Sequence, residues 1–128
     1  RREQDQPSKH MRLKEFYQQE FQCIYTDDTM NDYHSGIVPF VVNMISDMVG
    51  LPAIVVTSDR LPDYSEITLD IEIDNMELCS ISRRKDFPGT MKFTGKKGII
   101  ERGLKVVEIA IGLDRCIYQF NKRKNQYI

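Results

Sequence analysis

Residues 67–82 read ITLDIEIDNMELCSIS, and no other stretch restricts the fold as much. Ile67, Leu69, Ile71 and Ile73 alternate with Thr68, Asp70 and Glu72. That period of two belongs to a strand with one buried face. Asp74-Asn75 suits a tight hairpin turn, because both residue types tolerate the left-handed backbone that such turns require. MELCSIS then returns as a second antiparallel strand. A hairpin with one apolar face is not stable alone, so other elements must cover that face.

The flanking sequence supplies them. Pro39 suits a first helical turn, Phe40, Val41, Met44, Ile45 and Met48 follow at helical spacing, and Gly50 with Pro52 beyond it ends the segment. This predicts a helix from Ile37 whose stripe packs into the core. AIVVT (53–57) predicts a short buried strand, and SDRLPDYS a turn. RLKEFYQQEFQCIY (12–25) predicts a strand that sets Leu13, Phe16 and Phe21 among charged and amide side chains. Residues 83–103 are basic, contain four glycines and read as a loop. A last strand over 105–111 passes through Gly112 into a helix with a basic end, NKRKNQ. Hairpin strands with helices set apart predict one α+β domain, an antiparallel sheet flanked by helices.

Composition narrows the chemistry. With 18 basic and 19 acidic residues in 128, the net charge of −1 leaves no global basic field for nucleic acid; any such contact must come from a local patch. Cys23, Cys79 and Cys116 are widely spaced, contain no C-x-x-C and lie apart from His10 and His34. They predict free thiols in a reducing compartment rather than a zinc site. No apolar run approaches the ~20 residues of a membrane span, so a soluble intracellular protein is expected. GTMKFTGKKG has five residues between its first glycines and Lys97 after Lys96, which fails the phosphate-loop pattern.

The sharpest functional signal is VVEIAIGLDR (106–115), where an alternating strand meets a helix at Gly112 and presents Arg115 on a rigid element. A guanidinium held there can grip a phosphate or carboxylate with two parallel hydrogen bonds. The ordinary alternative is that Arg115 pairs with Asp114 or a nearby carboxylate. At the other end of the chain, Arg1, Glu3, Arg12 and Glu20 fall on two strands able to border the same surface.

These residues resemble the class II aminoacyl-tRNA synthetases, and among them the glycyl-tRNA synthetases. Arg1-Arg2-Glu3, a polar loop and RLKEFYQQE look like the second signature motif (1–25), and the strand into IGLDR looks like the third (105–120). PDYS, LDIEI and ELCSISRR resemble the elements between them, in the same order. Where glycyl enzymes carry Glu-Pro-Ser, this chain has Glu108-Ile109-Ala110, and Ser80 stands in place of a usual glycine.

The resemblance implies the C-terminal part of a class II catalytic core, with Arg1 and Arg115 as the catalytic phosphate clamps. ATP would be bound by Arg1, Glu3, Arg12, Leu13, Phe16, Glu77, Leu78 and Arg115, and Mg²⁺ by Glu77. Glu20, Glu108, Ile109 and Ala110 would receive the amino acid. The implied reaction is ATP-dependent activation of glycine and its ligation to tRNA, in the cytoplasm or the mitochondrial matrix. Alternatives are a prolyl-, seryl- or threonyl-type enzyme, or a synthetase-like accessory module. The first motif, which forms the homodimer in this class, is expected upstream of Arg1, and the chain without it is expected to be inactive alone.

Overall fold

In a computed structural model, the described residues are 16–26, 36–58, 61–86 and 89–126. The hairpin lies at the heart of the fold: β3 (Ser65–Ile73) and β4 (Met76–Arg84) pair antiparallel, turning at Asp74 and Asn75 with φ of 51° and 63°. The remaining elements are β1 (Gln18–Thr26), α1 (Val38–Val49), β2 (Ile54–Thr57), β5 (Thr90–Gly95), β6 (Gly98–Gly112) and α2 (Leu113–Gln126). The strand order is β1-β6-β4-β3-β2, with β5 paired only to the first part of β6. Every pairing among the described strands is antiparallel, so the chain is α+β, as expected.

One face of this sheet is apolar. Leu69, Ile71 and Ile73 of β3, Cys79 and Ile81 of β4, and Val107, Ile109 and Ile111 of β6 form a core with Val38, Val41, Ile45 and Val49 of α1 and Cys116 of α2. Fully burying an aliphatic side chain of this size stabilises a fold by ~1.5–3 kcal/mol. Gly50 ends α1 in the left-handed conformation (φ 83°) and donates its N–H to Ser46 O at 2.7 Å. A Cβ there would also lie 2.7 Å from Arg123 Nε of α2, so that flexible side chain would have to move aside; the left-handed backbone is what favours glycine at this position.

Three expectations change. The stripe of α1 that enters the core is Val38, Val41, Ile45 and Val49, whereas Phe40 (69% exposed) and Met48 (47%) face outward. The next apolar residues one turn on had the same spacing, so periodicity alone left the phase of the stripe ambiguous. β2 is not buried: it is a sheet edge paired only with β3, and Ile54 is 55% exposed. Its shortness and the preceding Pro52 limit further pairing there. Most of the basic segment 83–103 is not loop but the end of β4 and a two-stranded ribbon of β5 and the first part of β6. Consequently β6 spans fifteen residues rather than the seven expected. Arg1, Glu3, Arg12 and Leu13 lie outside the described residues.

Among the described residues, no helix is long and apolar enough to cross a membrane.

Candidate functional site

The face of the sheet opposite the helices is polar, and the register builds it in rows. Glu20 of β1 lies opposite Ala110 of β6, which lies opposite Ser80 of β4, which lies opposite Asp70 of β3. The neighbouring row is Gln22, Glu108, Ser82 and Thr68. Because side chains alternate across a strand, all eight share one face. Glu20 and Glu108 are diagonal neighbours across β1 and β6, a separation of ~7–8 Å. Ala110, between Glu20 and Ser80, has the smallest side chain in its row.

Glu108 is 8% exposed. Its carboxylate accepts from Gln22 Nε2 at 3.1 Å and from the hydroxyl of Tyr64, which the turn before β3 delivers to the site. A backbone hydrogen bond from Lys85 N to Tyr64 O (2.8 Å) and the Arg84 guanidinium, 4.5 Å over the ring, fix Tyr64 in place. Arg84 is itself held by a two-point contact to Asp86 (3.0 and 2.7 Å), which lowers the Asp86 pKa. Burial first, and then the Glu108 hydrogen bond and charge with a smaller contribution from Glu20, push the Tyr64 phenol up to about 12, against an opposing pull from Arg84. Tyr64 therefore stays a hydrogen-bond donor at neutral pH. Behind it, Ser65, Thr68 and Ser82 link their hydroxyls at 2.9 Å and satisfy one another.

At the other end of the face, Ser80 Oγ lies 2.8 Å from both Asp70 Oδ1 and Glu77 Oε1. A hydroxyl has one proton, so it cannot donate fully to both carboxylates at once. Glu77 reaches this side because of a register shift: Ile71 pairs with Cys79 but Glu72 pairs with Glu77, so Leu78 has no partner across the ladder. Such a bulge re-aims the side chains around it. Arg115, in the first turn of α2, donates Nη1–H to Glu77 O at 2.7 Å, and its stem passes Gly112. Asp114 accepts from Tyr17 N at 2.6 Å, tying the start of α2 to β1 and favouring the helix dipole.

The register puts Glu20, Glu108 and Ala110 on one face, Glu77 reaches that face through Ser80, and Arg115 is tied to the Glu77 carbonyl. It places two expected contacts elsewhere. Ile109 alternates with Glu108 and Ala110 to the helix side, where it lines an apolar groove of about 430 Å³ with Phe21, Phe40 and Met44. The Leu78 side chain is 1% exposed and belongs to the core. Neither side chain faces the polar rows, so a role in binding there is left only to their backbone groups. Phe16 is half-buried two residues before β1. Tyr64, Gln22, Asp70, Ser82 and Arg84 join the site without having been singled out. The available signal was that the off-core positions of β3 and β4 include Thr68, Ser80 and Ser82, small residues unlike the long charged side chains of a solvated face.

Among the described residues no group of three or more His, Cys, Asp or Glu side chains is arranged to hold a metal ion. Magnesium commonly takes only one or two carboxylates together with phosphate oxygens, and the oxygens of Glu77 and Asp70 are of that chemical kind. All three cysteines are free thiols, and burial above all pushes Cys79 up to about 12 and Cys116 to about 11. They are not activated nucleophiles. The sequence matches no known family and none of the curated proteins with which it was compared.

Proposed function

We propose that this chain is the part of a class II aminoacyl-tRNA synthetase core running from the second signature motif to the third, and that it serves ATP-dependent activation of glycine and ligation to tRNA. The observation that carries this reading is the polar face itself. A small residue, Ala110, sits between Glu20 and Ser80 with Glu108 two residues away on its own strand, and Arg115, rooted in a helix, contacts the Glu77 carbonyl.

The residue types suit the reaction. The carboxylate of an amino acid is already ionised at pH 7 and needs no general base to attack phosphorus, so positioning and charge neutralisation supply the catalysis. That agrees with a face holding carboxylates and arginine but thiols only on the core side. Glu108 and Glu20 would receive the glycine ammonium, with Tyr64 and Gln22 holding Glu108 in place. Ala110 supplies room for the small substrate. Arg115 would exchange or share its contact to the Glu77 carbonyl with a phosphate of ATP, opposite the clamp assigned to Arg1. Glu77, with Asp70 beside it, would hold Mg²⁺, which when bound neutralises phosphate charge. A homodimer and tRNA are the partners this reading requires.

ATP–pyrophosphate exchange by the intact protein tests it, with glycine, proline, serine and threonine compared. Glycine should support exchange, and Arg115→Ala should slow it by about 2–5 kcal/mol in transition-state stabilisation. Exchange with another amino acid alone would overturn the glycine assignment. Exchange with none, or unchanged exchange in the variant, would overturn the site.

A further inference from the structure

The ribbon formed by β5 and the first part of β6 is used by nothing in the site above. Six residue pairs, from Thr90 opposite Gly103 to Gly95 opposite Gly98, build it outside the main strand order. At ~3.3 Å per residue it extends ~20 Å. Gly98 (φ 115°) reverses the chain after Lys96 and Lys97, both exposed at the tip.

Its charge is opposite in sign to that of the chain. Residues 89–105 hold five basic side chains and one acidic one, within a protein of net charge −1. Lys92 and Glu101 face each other across the ribbon at 3.5 Å, leaving the tip lysines as its most forward cations. On the other face Phe93 (46% exposed) lies opposite Ile100, with Arg102 two residues further along the same side.

We infer that this ribbon is an RNA-binding element: Lys96 and Lys97 hold backbone phosphates while a base stacks on Phe93. A basic track beside an exposed aromatic ring is the combination single-stranded nucleic acid requires. An anionic membrane would want a single apolar face, and here the apolar side chains divide, Phe93 and Ile100 on one side and Ile99 on the other. The choice of tRNA among RNAs rests on the proposed function; RNA binding itself rests on the ribbon.

The experiment is fluorescence anisotropy of labelled bulk tRNA and a labelled 20-residue oligouridine with the full chain, in the absence of ATP and glycine, over a range of salt. Vesicles of phosphatidylserine and phosphatidylcholine form a parallel arm. Wild-type protein should bind RNA, with affinity falling linearly in log–log salt plots. K96Q/K97Q should lower that slope by about 1.5–2, and Phe93→Ala should weaken binding ~5-fold or more without changing the slope. Both variants alter exposed positions, and circular dichroism should show unchanged folding. Absence of RNA binding at low salt, binding to vesicles in its place, or an unaltered slope in K96Q/K97Q would overturn the inference. Since neither ATP nor glycine is present, failed pyrophosphate exchange alongside normal RNA binding would refute the catalytic proposal alone.

Discussion

Replacing Glu108 tests how the polar face is built. Its carboxylate accepts from Gln22 Nε2 and the Tyr64 hydroxyl at a position 8% exposed. Glu108→Ala leaves both donors without their acceptor, and a stranded buried donor costs ~1–3 kcal/mol. Gln22 is exposed and Tyr64 only half-buried, so water can partly replace the acceptor and the lower end applies to each. The expected loss is ~2–3 kcal/mol, or ~6–15 °C in melting temperature for a domain of this size. Glu108→Gln keeps an acceptor oxygen and should lose less than half as much. It also removes the charge that raises the Tyr64 pKa, so the phenol should titrate below its wild-type value of about 12. A raised phenol pKa favours the folded state fully below pH 10, the ordinary value, and that contribution fades as pH climbs to about 12. The Glu108→Gln variant should show a smaller alkaline loss. Urea unfolding gives the stability, and ultraviolet difference titration against Tyr64→Phe isolates the phenol. A Glu108→Ala protein as stable as wild type, or a Tyr64 titration indifferent to Glu108→Gln, would refute the hydrogen-bonded arrangement.

Two further outcomes check the core. Ile81→Ala, at a fully buried position in the central strand β4, should cost ~2–5 kcal/mol in urea unfolding, whereas Ile54→Ala on the exposed edge should cost under ~1 kcal/mol. In native protein at pH 8, iodoacetamide should modify the half-buried Cys23 well before Cys79 and Cys116, whose thiols are buried and raised; mass spectrometry resolves the order, and early loss of Cys79 would contradict the packing.

The sequence made the β3–β4 hairpin legible because period, turn and return strand agree with one another. The Gly112 junction was equally plain, and with it the placement of Arg115. The edge position of β2 was not legible, since four apolar residues look alike whether buried or at an edge, and only pairing partners decide. The ribbon was hidden by its lysines and glycines, which suggest a solvated loop until Thr90, Thr94, Ile99 and Ile100 are seen to pair. In the site, alternation located Glu108 and Ala110 on one face but should also have sent Ile109 to the other, and the signature motif overrode that rule. The core placement of Leu78, expected instead at the ATP site, was not legible because a bulge is a property of two strands. Tyr64, Gln22 and Arg84 reach Glu108 from a turn and from neighbouring strands, through a register that no single strand's pattern contains.

The central claim is that the polar face, rather than the helix side, receives ATP and glycine. A backbone-amide NMR titration of the isotopically labelled intact protein with Mg·ATP, then glycine, locates the ligands directly. Shifts should concentrate at Glu77, Ser80, Glu108, Ala110 and Arg115, with glycine adding effects at Glu20 and Gln22. Shifts clustered instead at Phe40, Met44 and Ile109 around the apolar groove, or no shifts at millimolar ligand, would contradict the account.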